Sequence, residues 1–336
     1  MRIVVDAMGG DFAPKNVVLG TLEAIKETQG RFHIILTGDQ DAIKKELADA
    51  GAGDGLPLTI HHTTQVITME DSAATAVKGK PDSSIVVGIG LCAKGHADGF
   101  LSAGNTGAVM AASTYILGRI PGVSRPTISA FFPRRPHGYN CILDVGANVD
   151  CKPEHLVQFA LMGSIFMREM FGVDNPKIGT LSIGEEETKG NELTKEVHKL
   201  LKASKMNFIG NVEGRDIFTD QADVYVCDGF TGNIILKFAE SIGHFIGHQL
   251  KKQMAGMNLP AEQQMLVGGV MKKTMQSFDY EEFGGVPLLG VNGVSIIGHG
   301  GSTPKAVKNM ILEAEKMVNL GVNKKIQDAI EQMNNA

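Results

Sequence analysis

The sequence lacks an excess of positive charge. Its 336 residues include 32 lysines and arginines against 37 aspartates and glutamates, for a formal net charge of −5. Proteins that bind nucleic acid through its phosphates normally carry a basic excess, so we expect no nucleic-acid partner. Hydrophobic residues make up 43% of the chain and charged residues 21%, which is typical of a globular protein with room for two lobes.

The sequence also lacks an uninterrupted apolar run of about 18 residues, the length that a membrane-spanning helix needs. The first residues do not show the charged and apolar regions of a signal peptide. We therefore expect a protein of the cytoplasm that contacts a membrane at most from its surface.

Cysteine is scarce, with four residues and no Cys-x-x-Cys pair. All four lie in apolar or strand-like segments, which favours buried, reduced thiols. Cys227 could instead be a nucleophile because it adjoins a polar, glycine-rich motif, although no histidine lies near it in the sequence.

Apolar runs rich in β-branched residues alternate with helical patterns along the chain. The alternation begins with strands at 3–7, 32–37 and 58–63 and with helices at 14–29 and 39–50, and it ends with a helix at 304–332. Such alternation predicts βαβ units and a mostly parallel sheet. Strands at 128–132 and 140–145, joined by a basic loop, form a candidate antiparallel hairpin. We predict a single α/β domain over residues 1–336 with two lobes.

Four stretches place small polar residues and glycine where a predicted strand gives way to a helix. They are 102–107, 143–148, 183–190 and 226–233. Open α/β sheets bind ligands where strands end, and the N–H groups of such turns bind oxyanions without a metal. The P-loop pattern is absent, which disfavours nucleoside triphosphate hydrolysis. The sequence therefore predicts an anion site at the strand ends.

The stretch from Asp228 to Asn233 reads as a glycine turn that leads into a long helix. Lys237 lies four residues after Asn233, so the two share a helix face, although Lys237 could equally be a surface lysine. Asp228 could be a base or could cap the helix. His299, in the glycine-rich loop 298–302, could be an acid-base group or an oxyanion donor.

A loose dinucleotide pattern, G-x-G-x-x-A, occurs at 88–93. A dinucleotide site requires this pattern between the first strand and the first helix of a nucleotide-binding unit. Here it lies inside a predicted helix, which favours close helix packing. A nicotinamide-dependent dehydrogenase is thus a weak alternative.

Residues 254–275 are rich in methionine, with paired lysines just before them at 251–252 and near their end at 272–273. Two helices joined at 258–260 would form a projecting hairpin, which we place at 240–278. Its apolar side chains exceed what a small projection can bury in itself. Five of them are candidates for a tip that touches a membrane or a partner: Met257, Leu259, Leu266, Val267 and Val270. A dimer interface or a methionine-filled core would explain the same composition.

Five motifs occur in order along the chain: Asp6-Ala-Met-Gly-Gly-Asp11, Ser102-Ala-Gly-Asn-Thr-Gly-Ala108, Leu143-Asp-Val-Gly-Ala-Asn148, Cys227-Asp-Gly-Phe-Thr-Gly-Asn233 and Ile297-Gly-His-Gly-Gly-Ser302. Together they resemble the PlsX family, the acyl-carrier-protein:phosphate acyltransferases of bacterial phospholipid synthesis. A more distant similarity is to phosphate acetyltransferases, whose D-x-x-x-G-N-x-x-x-K run corresponds to Asp228, Gly232, Asn233 and Lys237.

The resemblance implies transfer of a fatty acyl group from acyl-[acyl carrier protein] to inorganic phosphate, which gives acyl phosphate for phosphatidic acid synthesis. It implies no cofactor, neither metal nor nucleotide. It also implies a Rossmann-like three-layer α/β/α sandwich of the isopropylmalate dehydrogenase type, a homodimer, and peripheral association with the inner face of the cell membrane. The downstream glycerol-phosphate acyltransferase would be a further partner. A non-catalytic membrane-surface scaffold for lipid-synthesis enzymes is the alternative.

Under this resemblance five residues are expected to hold phosphate: Ser102, Gly104, Asn105, Thr106 and Asn148. Phosphate is anionic at neutral pH, so it needs positioning more than deprotonation. Asn233, Lys237 and His299 would polarise the thioester carbonyl or steady the leaving thiolate. Asp228 would orient Lys237 or its loop.

An acidic carrier protein calls for a basic docking patch on the enzyme. Arg134 and Arg135 are one candidate patch, and the paired lysines at 251–252 and 272–273 are another. A solvated basic face would explain either group equally well.

Overall fold

Strands and helices alternate as predicted in the computed structural model, which describes residues 1–257, 260–276 and 280–335. The strands are β1 (Arg2–Asp6), β2 (His33–Gly38), β3 (Leu58–His62), β4 (Gly99–Ser102), β5 (Thr127–Pro133), β6 (Tyr139–Leu143), β7 (Ile178–Leu181), β8 (Phe208–Val212), β9 (Val224–Val226), β10 (Gly285–Leu289) and β11 (Val294–Gly298). The helices are α1 (Lys15–Thr28), α2 (Gln40–Asp49), α3 (Ala73–Gly79), α4 (Ser84–Ala93), α5 (Thr106–Ala112), α6 (Pro153–Phe171), α7 (Glu192–Ala203), α8 (Gly229–Gly256), α9 (Ala261–Gln276), α10 (Pro304–Leu320) and α11 (Val322–Asn334).

Strand pairing confirms the predicted α/β class with a mostly parallel sheet. Strand β10 pairs antiparallel with β11 and with β5, whereas seven other pairs of strands run parallel. Parallel strands are covered on both faces, so they read as continuous apolar runs. Ile3, Val4 and Val5 of β1 are completely buried, as that rule requires.

The chain divides into two compact units. Unit 1 comprises Met1–Ser129, Ile165–Asp174 and Tyr280–Ala336, and unit 2 comprises Ala130–Ser164 and Asn175–Asp279. In unit 1 the strands follow the order β3-β2-β1-β4-β11-β10-β5, and β5 continues into unit 2, where the order is β5-β6-β9-β7-β8. The predicted 128–145 hairpin is present as the neighbours β5 and β6.

Within each unit, parallel strands bring their loops to one edge. In unit 1, β4 pairs in parallel with β1 and β11, so the loops that follow these strands emerge together. In unit 2, β9 pairs in parallel with β6 and β7, with the same result. We call these groups of loops the unit 1 cluster and the unit 2 cluster. Four of the stretches singled out in the sequence, and the loop of His299, fall in these two clusters.

The glycine pattern at 88–93 lies within α4, as predicted. A Cβ added to Gly88 would lie 2.6 Å from the ring of Phe100 in β4 and 3.1 Å from Val4 in β1. Glycine here lets the helix pack closely on the sheet. The position is not the strand-to-helix turn that a dinucleotide site requires.

The prediction of one helix over 304–332 is wrong. Gly321 separates α10 from α11 and adopts a left-handed conformation with φ of 62°. Its N–H bonds back to the carbonyls of Met317 and Val318, which ends α10. Glycine adopts this conformation at little steric cost, and the apolar periodicity on both sides concealed the break.

Two helices, α8 and α9, occupy the predicted hairpin segment and contact each other. Leu259 lies outside the described residues. The other four tip candidates are exposed: Met257 by 66%, Leu266 by 70%, Val267 by 38% and Val270 by 61%. Among the described residues, no helix combines the length and apolarity needed to span a membrane.

Candidate active site

Helix α8 begins directly after β9, and Asp228 caps it. The Asp228 Oδ1 accepts a hydrogen bond from the Thr231 N–H at 2.8 Å, and Oδ2 accepts one from the Thr231 hydroxyl at 3.0 Å. Both carboxylate oxygens therefore serve the helix start, which is the capping role among the two foreseen. The prediction of a turn up to Asn233 is wrong, because α8 already begins at Gly229.

Glycine at two positions of α8 allows the helix to approach the loop between β6 and α6. The Gly229 N–H donates to the Asn148 carbonyl at 2.8 Å. A Cβ on Gly229 would lie 2.6 Å from the same carbonyl oxygen, and one on Gly232 would overlap the Asp144 carbonyl. These glycines are required by a close approach between backbones, not by a turn.

Asn233 extends from this first part of α8 toward the same loop. A Cβ on Gly146 would lie 3.5 Å from both Cγ and Oδ1 of Asn233. Within the described parts of the chain, the Asn233 carboxamide has no hydrogen-bond partner, and the residue is exposed. Its donors and acceptor are thus available to a ligand.

The loop after β6 folds around the buried carboxylate of Asp144. The Oδ1 atom accepts from the N–H groups of Gly146 and Ala147, and Oδ2 accepts from the N–H and the side-chain amide of Asn148. The Asn148 amide, a predicted phosphate ligand, therefore donates within its own loop. The structure brings Asn148, Asp228 and Asn233 together at the start of α8.

Helix α8 carries Lys237, and the loops of the unit 2 cluster contain Lys152 and Lys189. Lys237 lies one turn after Asn233, is exposed, and forms an ion pair with Glu240 at 3.0 Å. Lys189 lies in the loop between β7 and α7, and no carboxylate of the described residues forms an ion pair with it. The sequence reasoning selected this loop but missed Lys189, which follows the glutamates at 185–187 by two residues in the sequence.

The thiol of Cys227 is unsuited to nucleophilic attack. It is buried, and it donates a hydrogen bond to the Asp144 carbonyl at 3.6 Å. Burial, reinforced by the carboxylates of Asp228 and Asp144, raises the pKa of this thiol well above its ordinary value. A nucleophilic cysteine needs the opposite shift, so the structural reading of Cys227 is favoured.

In the unit 1 cluster, Ser102 is fully buried and bonded to Asp6. The Ser102 hydroxyl donates to the Asp6 Oδ2 at 2.6 Å, and its oxygen accepts from the Gly104 N–H at 3.0 Å. Burial raises the pKa of Asp6, and the bond from Ser102 opposes that shift. A Cβ on Gly9 would lie 2.6 Å from the Asp6 Oδ2 and 2.8 Å from the Gly104 nitrogen, so these loops are in direct contact.

Asn105 caps α5 and ties it to a neighbouring loop. Its Oδ1 accepts from the Ala108 N–H, and its amide donates to the carbonyls of Thr68 and Asp71, all at 3.0 Å. The hydroxyl of the next residue, Thr106, is exposed and has no partner among the described residues. Of the predicted phosphate ligands in unit 1, Thr106 thus keeps an available side-chain donor, whereas Ser102 and Asn105 bond within the chain.

His299 lies in the loop after β11, beside the loop after β1. The Gly301 N–H donates to its Nδ1 at 3.1 Å, so the neutral ring carries its proton on Nε2. The Asp11 N–H donates to the Gly300 carbonyl at 2.8 Å and joins the two loops. The residue is exposed, and an Nε2–H group is the kind of donor that the oxyanion role, one of the two predicted for this residue, requires.

Comparison with known proteins gives one consistent family. The sequence model of the family described as fatty acid synthesis protein matches residues 1–325. A phosphate acyltransferase of Chlorobaculum parvum is 52% identical over 334 residues, which cover 97% of this chain and 98% of the relative. One from Dictyoglomus turgidum is 48% identical over 334 residues, which cover 99% and 98% of the two chains.

Two solved structures share the fold. A phosphotransacetylase from Streptococcus pyogenes matches with a TM-score of 0.59 at 20% identity, covering 98% of this chain and 94% of that one. A branched-chain phosphotransacylase from Enterococcus faecalis V583 matches with a TM-score of 0.60 at 14% identity, covering 94% and 99%. At such low identity the likeness establishes the architecture alone.

Proposed function

The chain belongs to the PlsX family, the phosphate acyltransferases among the fatty acid synthesis proteins, and from this premise we propose that it transfers a fatty acyl group from acyl carrier protein to inorganic phosphate. A phosphate oxygen attacks the thioester carbonyl, the C–S bond breaks, and the carrier thiolate leaves. The product is an acyl phosphate for phospholipid synthesis. This reaction requires donors where negative charge develops on the carbonyl oxygen.

The start of α8 is the observation that supports this chemistry most strongly. Asn233 presents an unpartnered carboxamide there, held against Gly146 by close backbone packing. Lys237 follows one helical turn later on the same face. An amide N–H and an ammonium group on the first turns of a 28-residue helix can stabilise an oxyanion or hold a phosphate.

The remaining predicted residues take two kinds of role. Ser102, Asn105 and Asn148 bond within the chain, which supports a role in shaping the loops. In unit 1, we assign the exposed Thr106 hydroxyl and the Nε2–H of His299 as donors to an anion. In unit 2, we add Lys189 as a residue that attracts phosphate, because it has no ion-pair partner among the described residues.

For the carrier protein we propose docking through the lysines near the ends of α8 and α9. Arg134 is less suited, because it forms an ion pair with Asp223 and is only 21% exposed. Lys251, Lys252 and Lys273 are exposed, and they would meet the acidic surface of the carrier. The side chain of Lys272 lies outside the described residues.

Two apolar surfaces support the proposed assembly. One face of α8 exposes Phe230, Ile234, Phe238 and Phe245 by 53–65%, and we propose that a second copy covers it in a homodimer. The exposed apolar residues of α9, namely Leu266, Val267 and Val270, would contact the inner face of the membrane. A glycerol-phosphate acyltransferase would take up the product there.

The test is acyl transfer by the purified protein with palmitoyl carrier protein and phosphate, with hydroxylamine trapping the acyl phosphate. We expect hydroxamate formation that requires phosphate, and a loss of about 10²- to 10³-fold in kcat for Asn233→Ala. Asn207 lies directly before β8, and its side-chain amide donates to the Asn175 carbonyl. Asn207→Ala is the matched control and should stay active. Thioester loss that is independent of phosphate would overturn the proposal.

A further inference from the structure

We propose that Asp144 is a positioning residue, whose carboxylate fixes Asn233 in place for acyl transfer without touching the substrate. The inference rests on the proposed function, in which Asn233 contacts the reacting groups. It concerns a residue to which the sequence reasoning gave no role.

Hydrogen-bond donors surround the carboxylate of Asp144. Asp144 is completely buried, and four donors of its own loop bond to its two oxygens. Oδ1 lies 3.2 Å from the Gly146 nitrogen and 3.0 Å from the Ala147 nitrogen. Oδ2 lies 2.6 Å from the Asn148 nitrogen and 2.8 Å from its Nδ2. The loop thus takes its shape from one charged side chain.

This loop also contacts the first turn of α8. The helix rests on two backbone carbonyls of the loop: the Asn148 carbonyl accepts from Gly229, and the Asp144 carbonyl faces Gly232. The Asp144 N–H and carbonyl also bond to Cys227, at 3.0 Å to its carbonyl and 3.6 Å to its thiol. The contacts at Gly229 and Gly232 lie within four residues of Asn233, and Gly146 of the same loop is close to its side chain. A shift of the loop therefore shifts Asn233.

The donors around residue 144 require a carboxylate there. An ionised carboxylate accepts on both oxygens, whereas asparagine accepts on one and donates from the other position. Asparagine at residue 144 has the same size but would place an amide group against two donors. The substitution would break the hydrogen bonds on one side of the loop, either at Gly146 or at Asn148, without adding volume to the site.

The experiment is a double-mutant cycle of Asp144→Asn and Asn233→Ala, measured as kcat well below the melting temperature of every variant. We expect Asp144→Asn to lower kcat by tenfold or more in the wild-type background. In the Asn233→Ala background the same change should alter kcat by less than twofold, because no carboxamide remains to be positioned. An equal loss in both backgrounds, or no loss in the first, would overturn the inference.

Asp223→Asn is the matched control for the loss of a buried carboxylate. Asp223 precedes β9, at the opposite end of the strand from Asp228, and its carboxylate accepts from the Lys177 N–H at 2.7 Å and pairs with Arg134. This variant should lower the melting temperature but change kcat by the same factor with and without Asn233. If Asp223→Asn were coupled to Asn233→Ala as strongly as Asp144→Asn is, the effect on kcat would come from general destabilisation. That result would refute the positioning role.

Two further measurements keep the inference testable if Asp144→Asn folds poorly or activity is absent. Asn148→Ala removes one of the four donors, and its smaller loss of kcat should also disappear without Asn233. A loss that persists would mean that Asn148 acts on its own, which overturns the proposed route. Amide hydrogen exchange at residues 229–233 should be faster in Asp144→Asn than in the wild type. Because this measurement does not need activity, it tests the positioning role even if the wild type forms no acyl phosphate. Unchanged exchange there would contradict the inference.

Discussion

Replacement of Gly232 by alanine tests how closely α8 must approach the loop after β6. The added Cβ would lie 2.9 Å from the carbonyl carbon of Asp144 and closer still to its oxygen. Clearing the carbon alone requires about 0.5 Å to reach an ordinary contact of 3.4 Å, and clearing the oxygen requires more. We therefore expect the first turn of α8, with Asn233 on it, to move by about 1 Å, a misplacement that can cost 10²-fold in rate.

The variant should remain folded despite a cost in stability. Overpacking of a tight contact typically costs about 1–3 kcal/mol, which a domain of this size tolerates with a lower melting temperature. Gly232→Ala should thus fold, yet its kcat for hydroxamate formation should fall by about 10²-fold.

Gly243→Ala is the matched control on the same helix. A Cβ at this position would meet nothing within 4 Å. Alanine favours an exposed helix over glycine by about 0.5–1 kcal/mol, so this variant should be as active as the wild type and slightly more stable. If Gly232→Ala kept full activity, or Gly243→Ala lost as much, close approach of α8 to the loop could not be what positions Asn233.

Three other changes extend the test to further parts of the chain. Lys189→Ala should raise the KM for phosphate by tenfold or more, whereas Lys199→Ala, which removes an exposed lysine paired with Glu196, should not; equal effects would refute a specific role for Lys189. Leu266→Asp with Val267→Asp should reduce binding to anionic liposomes while transfer from soluble acyl carrier protein continues, and unchanged binding would remove the membrane tip. Burial raises the pKa of Glu313 to about 8 from 4.5, so the folded protein holds a proton that the unfolded chain releases, and stability should fall as the pH rises through this interval. Glu313→Gln should flatten that fall in melting temperature, and an unchanged pH profile would contradict the raised pKa of this carboxyl.

Local pattern predicted the elements well where the reasons for them are local. Helices α1 and α2 lie within one residue of the predicted bounds 14–29 and 39–50, because a proline and a capping aspartate mark their starts within the segment itself. The start of α8 was misread because Gly229 and Gly232 resemble turn residues. Their actual cause is contact with carbonyls about 80 residues earlier in the chain, which a local pattern does not contain.

The site shows the same division. The sequence selected the correct kind of loop, since glycine and small polar residues at strand ends are a local signal. It did not show which donors remain available, because Ser102 bonds Asp6 at a separation of 96 residues and Asn105 bonds Thr68 at a separation of 37. Asp144 was overlooked for a similar reason: its four donors are local, but their consequence for Asn233 arises only when α8 packs on the loop.

The most direct test of acyl transfer to phosphate uses palmitoyl carrier protein and inorganic phosphate labelled with ¹⁸O at all four oxygens. A phosphate oxygen that attacks the thioester carbonyl becomes the bridging atom, so the acyl phosphate should retain all four labels by mass spectrometry. Release of free carrier protein should equal the amount of acyl phosphate formed. Acyl phosphate that lacks the full label, or carrier release without phosphate, would contradict the central claim.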